Sequence, residues 1–167
     1  MGERSARIRY VIWLSFVASL GGFLFGYDTA VISGTVDQVS KQFSLDDITK
    51  GWYVGCALVG SISGVVFAGT LSDMFGRKIV MLLSAVLFTL SAIGCMISSG
   101  INQLVIARIV GGIGIGVASV VSPLYIAEIS VPEARGRLVS LYQLAITVGF
   151  LAAYLAHFGL LRHSETL

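Results

Sequence analysis

The stretch GTLSDMFGRK, residues 69–78, is a short charged segment between two long apolar runs. The flanking runs, at about 52–71 and 79–97, contain no charged residue. Each is about 20 residues long, which is the length that an α-helix needs to cross a hydrocarbon core of roughly 30 Å. Gly69 and Gly76 allow a tight turn, and Asp73 can bind the positive N-terminus of a neighbouring helix. The stretch therefore predicts two membrane-spanning helices joined by a short polar turn.

The composition of the whole chain favours a membrane protein. Of 167 residues, 56% are hydrophobic and 12% are charged, which leaves too little polar surface for a soluble domain of this size. The formal net charge of +2 is too small to indicate a nucleic-acid partner. The sequence contains no nucleophile–base pair, metal-ligand cluster or phosphate-binding loop. We therefore expect neither an enzyme nor a bound cofactor.

Three further runs have the length of a membrane span, so the predicted fold is all-α with about five transmembrane helices. Helices are expected because an open strand in lipid would leave backbone groups unpaired. The predicted order is a cytoplasmic N-terminus at 1–9, a transmembrane domain at 10–161 and a tail at 162–167. The five predicted spans are 10–34, 52–71, 79–97, 104–126 and 138–161.

The positions of the basic residues predict the orientation. Most of them fall before the first span or in the second–third and fourth–fifth joints: Arg4, Arg7, Arg9, Arg77, Lys78, Arg135 and Arg137. Basic residues favour the cytoplasmic side, so we expect a multi-pass protein of the plasma or bacterial inner membrane with its N-terminus in the cytoplasm.

Glycines repeat within the spans at a spacing that lets helix backbones approach each other. The pairs four residues apart are Gly51 and Gly55, Gly60 and Gly64, and Gly112 and Gly116. The sequence GGFLFG, at 21–26, is echoed by GGIGIG, at 111–116, which agrees with two three-helix repeats of inverted topology.

Two ionisable residues lie inside the predicted spans, Asp28 in the first and Arg108 in the fourth. At helical rise, Asp28 is about 27 Å above Tyr10, and Arg108 is about 6 Å below the outer end of its span. We therefore expect both in the outer part of the membrane, where they can pair. The alternatives are a static ion pair, or an Asp28 that only reaches the lipid headgroups.

A changing distance within this pair would couple proton movement to transport. Desolvation disfavours a charged carboxylate, whereas a nearby cation favours it. The affinity of Asp28 for a proton therefore depends on how close Arg108 lies.

Three motifs resemble known families. The stretch at 69–78 is similar to the G-x-L-x-D-x-x-G-R-[KR] signature of the major facilitator superfamily, between the second and third spans. RIVGGIGIG at 108–116 and PLYIAEISVPEARGRLVS at 123–140 resemble the sugar porter family within it. FGYDTAVISG at 25–34 is similar to the first span of bacterial xylose-proton symporters.

The resemblance implies roles for four residues within the spans. Asp28 takes the place of the proton-coupling aspartate, which passive relatives commonly replace, and Arg108 takes that of its arginine partner. Phe25 matches an aromatic residue of the sugar site, and Gln143 matches a glutamine that binds sugar hydroxyls. Without the resemblance, packing and an interhelical hydrogen bond would explain Phe25 and Gln143. Phe150 stands where the xylose-type symporters have a second amide, so the identity of the sugar stays open.

The resemblance also implies a cytoplasmic gate of salt bridges that break as the inside opens. It comprises Gly69, Asp73, Gly76 and Arg77 from the second–third joint together with Glu128, Arg135 and Arg137. A solvated loop without such a role is the alternative.

Members of the family have twelve spans in two halves, with the sugar site between the halves. We therefore expect a fragment of a proton-coupled monosaccharide symporter, whose partners are the sugar, the lipid bilayer and the missing second half, with the proton as coupling ion. Such a fragment would not transport alone. A passive facilitator, and a sugar sensor or assembly partner without transport, remain as alternatives.

Overall fold

The computed structural model describes residues 2–164 as a bundle of five helices. These are α1 (Gly2–Gln42), α2 (Asp47–Phe75), α3 (Arg77–Ile97), α4 (Ile101–Ile129) and α5 (Arg135–Ser164). Each contains a segment long and apolar enough to cross a membrane. The predicted all-α fold with five spans is confirmed.

The helices are longer than the apolar runs that predict them. Helix α1 begins at Gly2, before the predicted span, and continues to Gln42, and α5 covers residues 162–164 of the predicted tail. Residues 165–167 of that tail lie outside the described part of the chain. Polar residues therefore extend the helical ends beyond the hydrocarbon core, because a helix satisfies its own backbone hydrogen bonds in either environment.

The turn between α2 and α3 depends on one of the two expected glycines. Gly76 has a φ of +83° and its N–H donates to the carbonyl of Ser72 at 3.1 Å, which ends α2. Few other residues adopt this backbone conformation without strain. Gly69 lies inside α2, with no neighbouring atom where a Cβ would point. Our expectation that Gly69 shapes the turn is wrong, because the helix continues for six residues beyond it, to Phe75.

Close glycine contacts join α2 to α4. A Cβ added at Gly60 would meet the backbone of Ile109, and one added at Gly64 would meet that of Ile113. From the other side, Gly112 and Gly116 contact the backbone of α2. The two helices therefore pack at backbone distance over two turns.

The prediction fails for the other glycine pair of α2. A Cβ at Gly51 or Gly55 would have no neighbour within 4 Å. Both residues stand nine positions before Gly60 and Gly64, which at about 100° per residue places them on the opposite face of α2, away from α4. The four-residue spacing alone does not distinguish the two glycine pairs.

The same kind of contact joins α1 to α5. Gly22 packs against the backbone of Tyr142, and Gly26 against that of Ile146. We call this contact the α1–α5 seam. Because Gly22 and Gly26 stand 90 positions before Gly112 and Gly116, the two halves of the sequence echo make equivalent contacts, α1 with α5 and α4 with α2. This agrees with a repeated three-helix unit.

Helix α4 is the most buried of the five. It contacts α2 through its glycines, α3 through Gly114 near Ser84, and α1 through Ser122 near Gly21. Arg108 of α4 is buried among these helices, so its charge is held inside the protein rather than in lipid.

Candidate functional site

The structure joins Asp28 of α1 to Arg108 of α4 in a two-pronged ion pair. One guanidinium nitrogen of Arg108, Nη2, donates to Oδ2 of Asp28 at 3.0 Å, and Nη1 donates to Oδ1 at 3.3 Å. Bidentate contacts of this kind fix geometry as well as supplying attraction. The ion pair expected from the depths of the two residues is present.

The pair is largely shielded from its surroundings. Relative exposure is 9% for the Arg108 side chain and 21% for that of Asp28. Nε of Arg108 is buried and has no hydrogen-bond partner among the described residues. Asp28 is therefore the anion on which the guanidinium depends, and removing that carboxylate would leave a buried cation uncompensated.

An apolar cluster lies one helical turn beyond the pair, towards the end of the bundle where α1 leads into α2. Its buried members are Ile32, Tyr53 and Leu104. Ile32 follows Asp28 by four residues, and Leu104 precedes Arg108 by four. Because these side chains pack together, the cluster limits access to the pair from that end of this five-helix unit.

Phe25 and Gln143 lie on two different helices, α1 and α5. Phe25 is half-buried on α1, one turn before Asp28. Gln143 follows Tyr142 of the seam and is exposed. An aromatic ring and an amide are the kinds of group that bind the apolar faces and hydroxyls of a sugar. The structure places both residues beside the α1–α5 seam, and their roles stay a prediction.

Arg77 forms the centre of an ionic network at the opposite end of the bundle. Its Nη1 donates to Oδ1 of Asp73 at 2.7 Å and to the carbonyl of Ser72 at 2.8 Å, and its Nε donates to Oε1 of Glu128 at 3.0 Å. Arg77 thus ties the end of α2 to the end of α4. Asp73, which the sequence suggests as a partner for a helix N-terminus, instead accepts from Arg77.

The remaining expected members of the gate do not join this network. Neither Arg135 nor Arg137 makes an ion pair within the described residues. Both lie at the start of α5, next to the end of α4 that carries Glu128. Their part in a gate stays a prediction.

Sequence reasoning missed an ion pair between the last part of α1 and the first turn of α2. Nζ of Lys50 donates to Oδ1 of Asp37 at 2.7 Å, with Asp37 75% exposed. Both charges were visible in the sequence. Their pairing was not, because it depends on α1 continuing beyond the apolar run to Gln42.

Comparisons with known proteins agree with the fold and the motifs. A family model described as "Sugar (and other) transporter" matches residues 14–166. The chain is similar to the glucose transport protein of Synechocystis sp., with 48% identity over 155 residues that cover 93% of this chain and 33% of the relative. The arabinose-proton symporter of Bacillus subtilis is 42% identical over 159 residues, which cover 95% and 34%.

Solved structures lead to the same family. A structure of the proton:xylose symporter XylE with bound 6-bromo-6-deoxy-D-glucose matches with a TM-score of 0.86 and 38% identity, over 92% of this chain and 38% of that one. The chain therefore spans about a third of the length of these relatives. On the family model, the identities and the shared helical arrangement, the chain belongs to the sugar porters of the major facilitator superfamily, and corresponds to their N-terminal part.

Proposed function

We propose that this chain is the N-terminal, proton-coupling part of a monosaccharide symporter that works by alternating access. The observation that carries the proposal is the buried pair of Asp28 and Arg108. A carboxylate that binds and releases protons must have an environment that changes between states, and a bidentate cation partner at 3.0 Å supplies a contact that can be made or broken.

Protonation of Asp28 would change this contact directly. A neutral carboxyl group no longer attracts the guanidinium as an ion, and one of its oxygens carries a proton. The pair would weaken, and α1 and α4 would be freer to move relative to each other. The proton would thereby alter the helix that carries Phe25, one turn before Asp28.

The sugar would bind beside the α1–α5 seam, with Phe25 against an apolar face of the ring and Gln143 bonded to its hydroxyls. These two residues supply one wall of a site. We propose that the other wall belongs to a second half, in line with relatives about three times the length of this chain. No cofactor other than the transported proton is required by this scheme.

The network around Arg77 would act at the cytoplasmic end. It holds α2 to α4 through Glu128 in the arrangement described here, and opening of that end would require the contact at 3.0 Å to break. The clustering of basic residues at this end supports a cytoplasmic N-terminus in the plasma or bacterial inner membrane.

Transport in sealed vesicles tests the proposal. The protein encoded by the full reading frame that contains these 167 residues is purified and reconstituted into the vesicles. Uptake of labelled D-xylose, L-arabinose and D-glucose is then measured with and without an inward proton gradient. We expect accumulation of at least one sugar that requires the gradient.

Substitution of Asp28 tests the coupling role. Asp28→Asn keeps the size of the side chain but cannot release a proton, so accumulation should be lost while exchange of labelled for unlabelled sugar persists. Asp37→Asn, in the exposed outer ion pair, is the matched control and should retain accumulation. Gradient-driven accumulation by Asp28→Asn would contradict the coupling role. Proton-coupled uptake by vesicles holding these 167 residues alone would contradict the need for a second half.

A further inference from the structure

The two sides of the α1–α5 seam differ in polarity. On one side, a groove is lined by Phe16, Leu20 and Phe23 of α1 together with Leu144 and Val148 of α5. Helical periodicity of about 100° per residue places Phe25, Asp28 and Thr29 of α1 on the other side. Only this second side includes the ion pair.

The exposed surface of α5 is divided in the same way. Leu144, Val148, Leu151 and Leu155 follow one another at helical spacing and are all exposed and apolar. The residues Gln143 and Thr147, which are also exposed, form a separate stripe about 100° away. The apolar stripe continues the groove, so it suits lipid or an apolar helix, whereas the polar stripe lies on the side of Asp28.

Along the axis of the bundle, Thr147 lies between the levels of Phe25 and Asp28. Its neighbour Ile146 packs against Gly26, the residue that follows Phe25. Gln143 follows Tyr142, which contacts Gly22 one turn lower. Since α1 and α5 run in the same direction along the seam, Thr147 lies one turn closer to the level of Asp28 than Gln143 does.

The hydroxyl of Thr147 is poorly satisfied by its own helix. It donates to the carbonyl of Gln143 at 3.3 Å, beyond the usual range for a hydroxyl donor. Thr29, Thr35 and Thr89 make the same backbone contact, each at 2.8 Å. The Thr147 hydroxyl is therefore the one of these four that gains most from another partner.

We propose that Thr147 is a further sugar-contacting residue, whose hydroxyl bonds a sugar hydroxyl one helical turn outward of Gln143. The inference rests on the proposed sugar transport and adds a specificity-determining contact to it. Phe150, one turn further along the same stripe, offers no hydrogen bond, so Thr147 is the polar group of α5 nearest to the level of Asp28. It selects for the sugar hydroxyl that faces α5 at this level.

The role of Thr147 in sugar binding is tested by Michaelis constants for uptake, measured on the full-length protein in proteoliposomes. Thr147→Val keeps the shape of the side chain and removes the hydroxyl. We expect the KM to rise about 3- to 10-fold for the preferred sugar, which corresponds to one hydrogen bond, with kcat little changed. Thr147→Ser restores the hydroxyl and should return the KM to within about 2-fold of the original. Thr89→Val makes the same change on α3 and should have no effect.

Deoxy sugars identify the bonded hydroxyl. In a series of monodeoxy analogues of the preferred sugar, the analogue that lacks this hydroxyl should have the same KM for the unsubstituted protein and for the T147V variant. Each of the other analogues should show the rise in KM that the parent sugar shows. An equal KM for Thr147→Val and the unsubstituted protein on the parent sugar would overturn the inference. So would an effect of equal size on every analogue, or an equal effect of Thr89→Val.

The outcomes separate this inference from the function on which it rests. If the unsubstituted protein takes up none of the sugars, the proposed function fails, and the role of Thr147 fails with it. If the unsubstituted protein transports and Thr147→Val is silent, only the contact by Thr147 is wrong. If Thr147→Val does not fold, Thr147→Ala with rescue by Thr147→Ser gives the same comparison.

Discussion

Replacing Gly60 by alanine tests the close packing of α2 on α4. The added Cβ would contact the carbonyl oxygen of Ile109 and would lie 3.1 Å from both the carbonyl carbon of Ile109 and the backbone nitrogen of Ile113. These are backbone atoms, which cannot move aside as a flexible side chain can. The two helices must therefore separate, and such overpacking costs roughly 1–3 kcal/mol of folding free energy.

Gly55→Ala on the same helix is the matched control, since its Cβ would have no neighbour within 4 Å. Both substitutions gain the same helix propensity, up to about 1 kcal/mol, so the difference between the two variants isolates the cost of the contact. For a chain of this size, a cost of about 1–3 kcal/mol lowers Tm by roughly 2–12 °C.

Thermal unfolding in detergent with a thiol-reactive fluorescent maleimide measures this difference. In a Cys95→Ser background the dye reports Cys56, which is fully buried one turn before Gly60. We expect Gly60→Ala to unfold at the lower temperature. Equal Tm values for Gly60→Ala and Gly55→Ala would refute the packing at backbone distance.

Three other predictions follow from individual side chains. The hydroxyl of Thr49 donates to Oδ1 of Asp46 at 2.5 Å and holds the pKa of Asp46 below its usual value. The ionised Asp46 therefore stabilises the folded state above about pH 4, and this contribution is lost as the pH falls through the lowered pKa. Thr49→Val should raise the pKa of Asp46 in an NMR titration, and an unchanged value would contradict the contact. Glu128→Gln should leave the denaturant midpoint of unfolding close to that of the unsubstituted protein, because the pair with Arg77 is partly exposed and screened by solvent, and a large fall in the midpoint would show a greater role in stability. Tyr142→Phe should leave Tm unchanged or raise it, because the buried hydroxyl of Tyr142 has no partner among the described residues, and a lower Tm would reveal one.

The ion pair could be predicted from the sequence because depth in a membrane is a one-dimensional quantity. Counting residues from the ends of the apolar runs places Asp28 and Arg108 at the same level, and two buried charges of opposite sign at one level lower their energy by pairing. The number of spans could be predicted for a similar reason, since each run had to match a fixed thickness of hydrocarbon.

Which residues contact each other depends on how each helix is rotated about its own axis. The spacing of residues along the sequence does not give this rotation. Gly51 and Gly55 have the same spacing as Gly60 and Gly64, yet only the second pair faces α4. Gly69 and Gly76 stand in one motif, yet only Gly76 forms the turn. Arg77 binds Glu128, whereas Arg135 and Arg137, predicted with it, join no ion pair in the part of the chain that the structure describes.

Five apolar helices, the level of each charge in the membrane and the family of the motifs all follow from the sequence alone. The helices and the levels of the charges depend on the cost of exposing polar groups to hydrocarbon, which acts on every residue separately. The family depends on the similarity of the motifs. Which helices meet, and which faces they present, became known only from the packed bundle. The seam between α1 and α5, and the position of Thr147 on its polar side, result from backbone contacts that Gly22 and Gly26 make with residues 120 positions further along the chain. Packing of this kind depends on the shapes of two surfaces together, so neither run of sequence specifies it alone.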